Sequence, residues 1–256
     1  MEKISIAIPT YNSSIYVKES LELLLKTSKT PIFHEIVVND DNSETEDFEN
    51  LLKLINYFSD KHRNVSFSLN RNNKNLGGFK NKYITIKNCS NNFVYQIDSD
   101  NLVNKSTLKF LKFSNLNKNY LYLPSKIYLF KNKSLIKRKV SFTKEFGKFS
   151  KDKIKQFLIT NSNVNKRDLN WVMNIGNPIF FKDRYLEYLE EGMNSKLNLS
   201  ADAYALTFFW LKNQGFLYLD KQHSHNHRLH DKSYWVTEGQ DAIDSVNLFR
   251  EKIISL

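Results

Sequence analysis

Three short polar segments, each directly after an apolar stretch, contain the residue types that could do chemistry in this sequence. They are Pro9-Thr10-Tyr11-Asn12, Asp40-Asp41-Asn42-Ser43 and Asp98-Ser99-Asp100-Asn101. Ligands of open parallel sheets bind beyond the carboxyl ends of the strands, so three polar strand ends favour a common site. Asn, Asp and Ser also form turns and cap helices, and for any one segment alone that interpretation is the stronger one.

The pair Asp98 and Asp100 is the most specific of these features. Two aspartates two residues apart can place one carboxylate on a divalent cation and the other on a ribose or the water shell of the ion. Carboxylate oxygens are hard ligands, which suit Mg²⁺ or Mn²⁺. Such a cation would bridge a diphosphate and stabilise the charge that develops as the diphosphate leaves.

Four histidines lie close together near the carboxyl end of the chain: His223, His225, His227 and His230. On a strand the first three would share one face, because side chains repeat every two residues. The helical His-x-x-x-His pattern with its glutamate is missing, and so are cysteine ligands, which argues against a zinc site.

The net charge of +11, from 38 basic and 27 acidic residues, should attract anions such as nucleotide phosphates. The densest basic run, Lys131 to Lys139, is short and typical of a solvated hairpin. No zinc-finger, basic-zipper or ribonucleoprotein motif accompanies the charge, so we predict no nucleic-acid partner.

The single cysteine, Cys89, excludes an internal disulfide and a cysteine-based metal cluster, and we expect it to be a buried bystander. The first nine residues lack the apolar run of a signal peptide, and no stretch reaches the roughly 18 apolar residues of a membrane span. These features predict a soluble, cytoplasmic protein. The positive charge also allows peripheral contact with anionic lipid at the inner face of a membrane.

Apolar runs and helical periodicities alternate over the first hundred residues. Strands are predicted at 4–8, 35–39, 65–69 and 93–97, and helices through 17–25, 48–55 and 78–88. The alternation predicts an α/β fold, a Rossmann-like nucleotide-binding sandwich around a mostly parallel central sheet.

The pattern becomes mixed after residue 120. Strands are predicted at 120–123, 126–130, 174–181, 216–219 and 222–229, and helices at 152–158, 183–189, 201–213 and 241–254. We expect one domain over 1–256, in which the half 1–115 binds a nucleotide and the mixed α+β half 116–256 binds an acceptor.

The chain resembles family 2 of the glycosyltransferases, which have the fold called GT-A. The matching segments are 5–12, 35–43, Asn75-Leu76-Gly77-Gly78 and 98–100, in the order and at the spacing of the family. The resemblance is strong over residues 1–115 and looser up to residue 235. It implies metal-dependent transfer of a sugar from a nucleotide-diphosphate donor to a hydroxyl of a carbohydrate or glycolipid acceptor. A UDP-sugar is the favoured donor by family tendency, and GDP- and dTDP-sugars are the alternatives.

The resemblance implies a base-binding role for the first two segments. Tyr11 and Asp41 would contact the nucleotide base, in a pocket shaped by Pro9 and Thr10. We expect the Asp41 carboxylate to be exposed at its strand end and to contribute little to stability.

The donor phosphates and sugar are assigned in the same way. Gly77 and Gly78 would let backbone approach the donor, and Ser99 lies in the same predicted site. Lys80 or Asn81 would reach the phosphates or ribose, although Lys80 could equally be an exposed helix residue.

The family pattern also implies a metal site. Asp98 would hold the ribose or donor sugar, and Asp100 would bind Mn²⁺ or Mg²⁺ directly. A histidine followed three residues later by serine often completes this site, and His230 with Ser233 fits. His227 is the alternative ligand, and the two preceding histidines are expected to be structural or on the surface.

The acceptor side has weaker matches. Residues 174–182 resemble the strand that lines it, and Tyr234 and Trp235 would either stack on a sugar or belong to the core. Asp202 matches the usual catalytic base, although Ala201 replaces the preceding glutamate of the family. Asp202 could instead only stabilise the start of a helix. The resemblance implies inversion by a single displacement.

Two other classes are weighed against this prediction. A sugar nucleotidyltransferase would normally have a Gly-rich, basic loop after the first strand, where this chain has Pro9-Thr10-Tyr11-Asn12. A non-catalytic carbohydrate-binding protein would not need an aspartate pair together with a downstream carboxylate. The segment 131–149 would either fold over the donor or form a plain hairpin.

Overall fold

The amino-terminal part of the protein alternates strands with helices, as predicted. The computed structural model describes residues 3–26, 32–131, 134–141, 145–160, 173, 176–229 and 239–256. The first strands are β1 (Ile4–Thr10), β2 (Glu35–Asp40), β3 (Ser66–Arg71) and β4 (Phe93–Gln96). The first helices are α1 (Ser14–Lys26), α2 (Thr45–Lys61), α3 (Gly78–Lys87) and α4 (Lys105–Phe113).

The carboxyl-terminal part begins with a hairpin of β5 (Tyr120–Lys131) and β6 (Ser134–Ser141). The elements that follow are β7 (Gly147–Phe149), α5 (Lys151–Thr160), β8 (Ile179–Phe181), α6 (Lys182–Asn194), α7 (Asp202–Lys212), β9 (Phe216–Arg228) and α8 (Gly239–Ser255).

The described strands form one sheet in the order β3-β2-β1-β4-β8-β5-β9-β7, and β6 pairs with β5. The first four strands are mutually parallel, whereas β8 is antiparallel to both β4 and β5. β5 and β9 are parallel to each other and therefore point the same way as β4. The carboxyl ends of β1, β2, β4, β5 and β9 thus lie at one edge, and the predicted α/β fold class is confirmed.

Several elements differ from their predicted bounds. The two strands predicted at 120–130 form the single strand β5, as do those at 216–229 in β9, with an irregular register between Pro124 and Lys126. Of the strand predicted at 174–181, only β8 is a strand within the described residues, because Asn177 has a φ of +69° and Pro178 has no N–H for the ladder. Helix α4 was not predicted, and the side chain of Asn104 caps it.

The sheet separates two hydrophobic clusters. β1 contributes Ile4, Ile6 and Ile8 to the cluster with α1, α2 and α4, and Ala7 to the other, because side chains alternate along a strand. The second cluster contains α3 and α5–α8, in which α7 is buried from Tyr204 to Leu211. This core places both α3 and α7 beside the carboxyl end of β4. None of the described helices has the length and apolar character needed to span a membrane.

Candidate functional site

The ammonium group of Lys82 lies between two carboxylates at the carboxyl end of β4. The Nζ of Lys82, on α3, is 3.1 Å from Oδ1 of Asp98 and 2.5 Å from Oδ2 of Asp202. The three side chains are 16%, 25% and 27% exposed, respectively. Charges shielded in this way interact more strongly than ion pairs on an open surface. The structure therefore brings the predicted donor-side aspartate and the predicted base into one pocket.

The charges of the pocket depend on each other. Burial disfavours the ammonium of Lys82, but the carboxylates of Asp202 and Asp98 outweigh it and raise its pKa above the ordinary value. Burial also raises the pKa of Asp98, an effect that Lys82 opposes and that Asp100 and Asp202 increase. Lys82 is therefore positively charged at every physiological pH.

Asp98 is held by neighbours from three segments. Its backbone N–H donates to Oδ1 of Asn177 at 2.8 Å, and its Oδ1 accepts from Nε2 of Gln96 at 3.2 Å. Tyr185 on α6 in turn donates its hydroxyl to Oε1 of Gln96 at 2.8 Å. Gly176 allows the carboxylate to approach, since a Cβ there would lie 2.0 Å from Oδ2 of Asp98.

Lys82 was not among the predicted site residues. Asn81 and Thr85, one turn apart, are buried on the inner face of α3, and Lys82 neighbours them, whereas Lys80 is exposed on the opposite face. In the sequence Lys82 is one of several lysines on this helix, and no local pattern distinguishes it from Lys80. The amide of Asn81 donates to the backbone oxygens of Thr10 and Asn39, each at 3.3 Å. Donor contacts of Lys80 and Asn81 stay predictions.

Asp202 is the first residue of α7, and Ala201 before it provides no side-chain cap. Instead, the backbone N–H of Ala201 donates to Oγ of Ser245 on α8 at 3.0 Å, and this hydroxyl donates to the backbone oxygen of Asn198 at 2.8 Å. The carboxyl-terminal helix thus fixes the start of α7. The carboxylate of Asp202 also accepts from the N–H of Ala203 at 2.7 Å. It serves the helix end and faces the pocket at the same time.

The expectation that Asp41 is exposed is wrong. Its side chain is 2% exposed, and its carboxylate accepts hydrogen bonds from Nδ2 of Asn72 at 2.7 Å and from the N–H groups of Leu76 and Gly77 at 2.9 Å each. The three donors converge because the loop before α3 folds back over the end of β2. Gly77 lies in this loop and has a φ of +82°. Asp41 therefore holds the predicted donor loop in place.

Asp41→Ala should lower the free energy of unfolding, because three donors would lose their acceptor. An unsatisfied buried polar group costs about 1–3 kcal/mol, so a loss of this size or somewhat more is expected. Urea unfolding would measure it, with Asp60→Ala at the exposed end of α2 as the control. Stability equal to that of the control would mean that the carboxylate does not hold the loop.

The other residues predicted at the nucleotide also lie at this edge. Pro9 and Thr10 are buried at the end of β1, whereas Tyr11 is 50% exposed. Oγ1 of Thr10 is 2.7 Å from Oγ of Ser13, which is 2.8 Å from Oγ of Ser99. These hydroxyls connect the end of β1 to the segment after β4. Of the residues named here, Tyr11 is the one with an exposed aromatic ring.

Asp100 lies half-buried where β9 ends. Its backbone oxygen accepts from Nε of Arg228 at 2.9 Å, and the guanidinium of Arg228 pairs with Glu19 and packs 4.6 Å from the ring centre of Tyr16. Arg228 was not predicted and fixes the backbone of the Asp100 segment. Because Lys82 already compensates Asp98, Asp98 is the poorer candidate for a metal ligand, and Asp100 stays the predicted one.

The described residues contain no group of three His, Cys, Asp or Glu side chains that could hold a metal ion. His230, the second predicted ligand, lies outside the described residues, as do Ser233, Tyr234 and Trp235. In the sequence, His230 follows two residues after Arg228, which contacts the Asp100 backbone. A carboxylate suits Mg²⁺ or Mn²⁺, so Asp100 fits the predicted ion, and His230 stays a prediction.

His223 and His225 are buried, which makes their structural role the better interpretation. His223 stacks on Phe110 with ring centres 5.8 Å apart, and burial lowers its pKa to about 3. Nδ1 of His225 is 2.8 Å from the side-chain amide of Asn177. Burial, followed by the influence of His227 and His223, lowers the pKa of His225 well below the ordinary value. Both rings are neutral at physiological pH. His227 is half-buried beside them.

The predicted hairpin in the segment 131–149 is present, since β6 pairs antiparallel with β5. Residues 132–133 and 142–144 lie outside the described part of the chain. That this hairpin folds over a bound donor stays a prediction.

Known proteins that are similar to this chain include glycosyltransferases. The enzyme named poly(ribitol-phosphate) beta-N-acetylglucosaminyltransferase TarS, of Staphylococcus aureus, is 34% identical over 111 residues, which cover 43% of this chain and 18% of TarS. The crystal structure of S. aureus TarS 1-349 in complex with UDP-GlcNAc aligns with a TM-score of 0.61 at 19% identity, over 98% of this chain and 66% of that one.

A second solved structure shares the fold. The mannosyltransferase PcManGT from Pyrobaculum calidifontis, in complex with GDP-Man and Mn²⁺, aligns with a TM-score of 0.54 at 12% identity, over 91% of this chain and 59% of that one. At these identities the two structural alignments support the fold alone, which is the GT-A fold expected from the resemblance. This protein therefore spans at most about two thirds of the length of the relatives that it matches.

The family model described as Glycosyl transferase family 2 matches residues 5–173. The matched segment includes β1 to α5 and with them every strand end that carries the predicted donor site. Because it spans more than half of the 256 residues, the protein belongs to glycosyl transferase family 2.

Proposed function

We propose that the protein transfers N-acetylglucosamine from UDP-N-acetylglucosamine to a hydroxyl of a sugar- or polyol-containing acceptor, with inversion at the anomeric carbon. The observation that carries this proposal is the placement of Asp202 in one pocket with Asp98, joined by Lys82. A donor-side and an acceptor-side carboxylate at one sheet edge are what a single displacement needs. The name of TarS and its complex with UDP-GlcNAc support the choice of donor.

The proposed step is a single displacement. Asp202 takes the proton from the acceptor hydroxyl while the oxygen attacks the anomeric carbon, and the bond from that carbon to the diphosphate oxygen breaks. The electron pair leaves with the nucleoside diphosphate, so no bond between sugar and protein forms. Asp98 orients the donor sugar or ribose, Tyr11 binds the base, and Asp41 acts on the base site by holding the loop before α3 in place. Mg²⁺ or Mn²⁺ held by Asp100 and His230 would supply charge stabilisation to the leaving diphosphate.

The acceptor proposed first is a polyol-phosphate chain, and a glycan or glycolipid is the second candidate. TarS is named for poly(ribitol-phosphate), and the net charge of +11 suits an anionic polymer. The same charge supports peripheral contact with anionic lipid as part of the proposal. A cytoplasmic location, at or near such a membrane, belongs to the same proposal.

Three assays on one preparation separate the proposed activity from its rivals. UDP-N-acetylglucosamine with Mn²⁺ should yield UDP, and release should rise when a ribitol-phosphate polymer is added. A nucleotidyltransferase would instead release pyrophosphate from a nucleoside triphosphate and a sugar 1-phosphate. A carbohydrate-binding protein would release neither. Pyrophosphate without UDP, or no product from any UDP-, GDP- or dTDP-sugar, would overturn the proposal.

A further inference from the structure

Among the described residues, Lys82 is the one whose side chain forms ion pairs with both proposed functional carboxylates. It reaches them from α3, whereas Asp98 follows β4 and Asp202 begins α7, so its ammonium connects three elements. Two carboxylates and one ammonium leave this group with a single negative charge. The partners share the pocket with Gln96 and Tyr185, whose side chains bond to each other rather than to Asp202.

We propose that Lys82 is a positioning residue that keeps the Asp202 carboxylate directed into the pocket while tying it to Asp98. This role rests on the proposed function, in which Asp202 must accept a proton. Lys82 takes no proton from the acceptor and forms no bond to the sugar. It acts through Asp202.

In the described part of the chain, Lys82 is the residue that contacts the Asp202 carboxylate with a positive charge. Asp98 approaches from the end of β4 with the same sign of charge and therefore repels that carboxylate. Tyr185 on α6 is neutral, because burial raises the pKa of its hydroxyl. From α8, Ser245 contributes a neutral hydroxyl, and it bonds to Ala201 rather than to Asp202. The amino end of α7 favours the carboxylate, but such helix-end effects are small, about 0.3–1 kcal/mol when exposed.

Without Lys82, the carboxylates of Asp202 and Asp98 would face each other with no cation between them, and like charges at short distance repel each other. The Asp202 side chain would then turn away from the position in which it faces the acceptor hydroxyl. Loss of Lys82 should therefore lower kcat while the KM for the donor changes little, a split that a merely structural role would not produce.

The first test separates kcat from KM in sugar transfer by three variants. Lys82→Met keeps the apolar stem but not the charge, and it should lower kcat by about tenfold to a hundredfold while the KM for UDP-N-acetylglucosamine stays close to the original value. Lys82→Arg keeps the charge and should recover most of kcat. Lys87→Met, on the exposed end of α3, is the matched control and should change neither constant.

The second test needs no activity and measures the coupling of Lys82 with Asp202 in urea unfolding. Lys82→Met and Asp202→Asn together should shift the unfolding midpoint by less than the sum of their separate shifts, because each removes the same ion pair. If Lys82→Met does not fold, Lys82→Gln provides the neutral replacement. Additive shifts, or a kcat of Lys82→Met equal to that of the unchanged protein, would overturn the proposal. If the unchanged protein transfers no sugar, the proposed function fails, and the coupling still decides whether Lys82 holds Asp202.

Discussion

Asp202→Asn is expected to lower the rate of sugar transfer by about 10²–10⁴-fold while donor affinity stays close to that of the unchanged protein. The amide has nearly the same size as the carboxylate but cannot accept the proton of an acceptor hydroxyl. Folding should survive, because the start of α7 is also fixed through the bond between Ala201 and Ser245. Turnover and UDP affinity measured on one preparation would separate the catalytic role from the helix-end role.

Asp183→Asn provides a matched control for this variant. Asp183 also lies in the first turn of a helix, α6, but it is exposed and outside the pocket. It should therefore transfer sugar at the normal rate. Normal turnover in Asp202→Asn would remove the residue from the mechanism, and Glu187, Glu190 or Glu191 would become the next candidate base. A product that retains the anomeric configuration, determined by NMR, would contradict the single displacement.

Asp100→Ala should abolish the part of UDP binding that depends on Mg²⁺ or Mn²⁺. A ligand that binds only the folded state adds about 2.7 kcal/mol of stability at one hundred times its Kd. Thermal unfolding with UDP, with and without Mn²⁺, should show this gain in the unchanged protein and lose its metal-dependent part in the variant. The segment should keep its place, because Arg228 contacts the backbone oxygen of Asp100, which the substitution leaves unchanged.

Asp60→Ala again serves as the control, because this aspartate is exposed on α2, outside the proposed site. His230→Ala and His227→Ala, measured under the same conditions, would distinguish the two candidate histidine ligands. A metal-dependent gain that persists in Asp100→Ala would show that Asp100 does not bind the ion. A melting temperature that no nucleotide with metal changes, even in the unchanged protein, would contradict the whole donor site.

The strand ends were predictable from the sequence because the features that define them are local. The apolar run that ends at Pro9, and the one before Asp98, mark strands whose carboxyl ends must meet in a parallel sheet. The order and spacing of these segments also carried the family resemblance that the match over residues 5–173 confirmed. Short-range patterns were enough for the fold class and for one edge of the site.

Partners that come from distant parts of the chain were not predictable in this way. The sequence around Lys82 shows a lysine on a helix, and its contacts with Asp98 and Asp202 exist because the core packs α3 and α7 against the end of β4. Asp41 resembles an exposed turn aspartate until the loop at Gly77 folds over it. Local sequence determines which residues lie at a strand end or on a helix face. Which charges then face each other, and how much water reaches them, depends on packing between elements far apart in the chain.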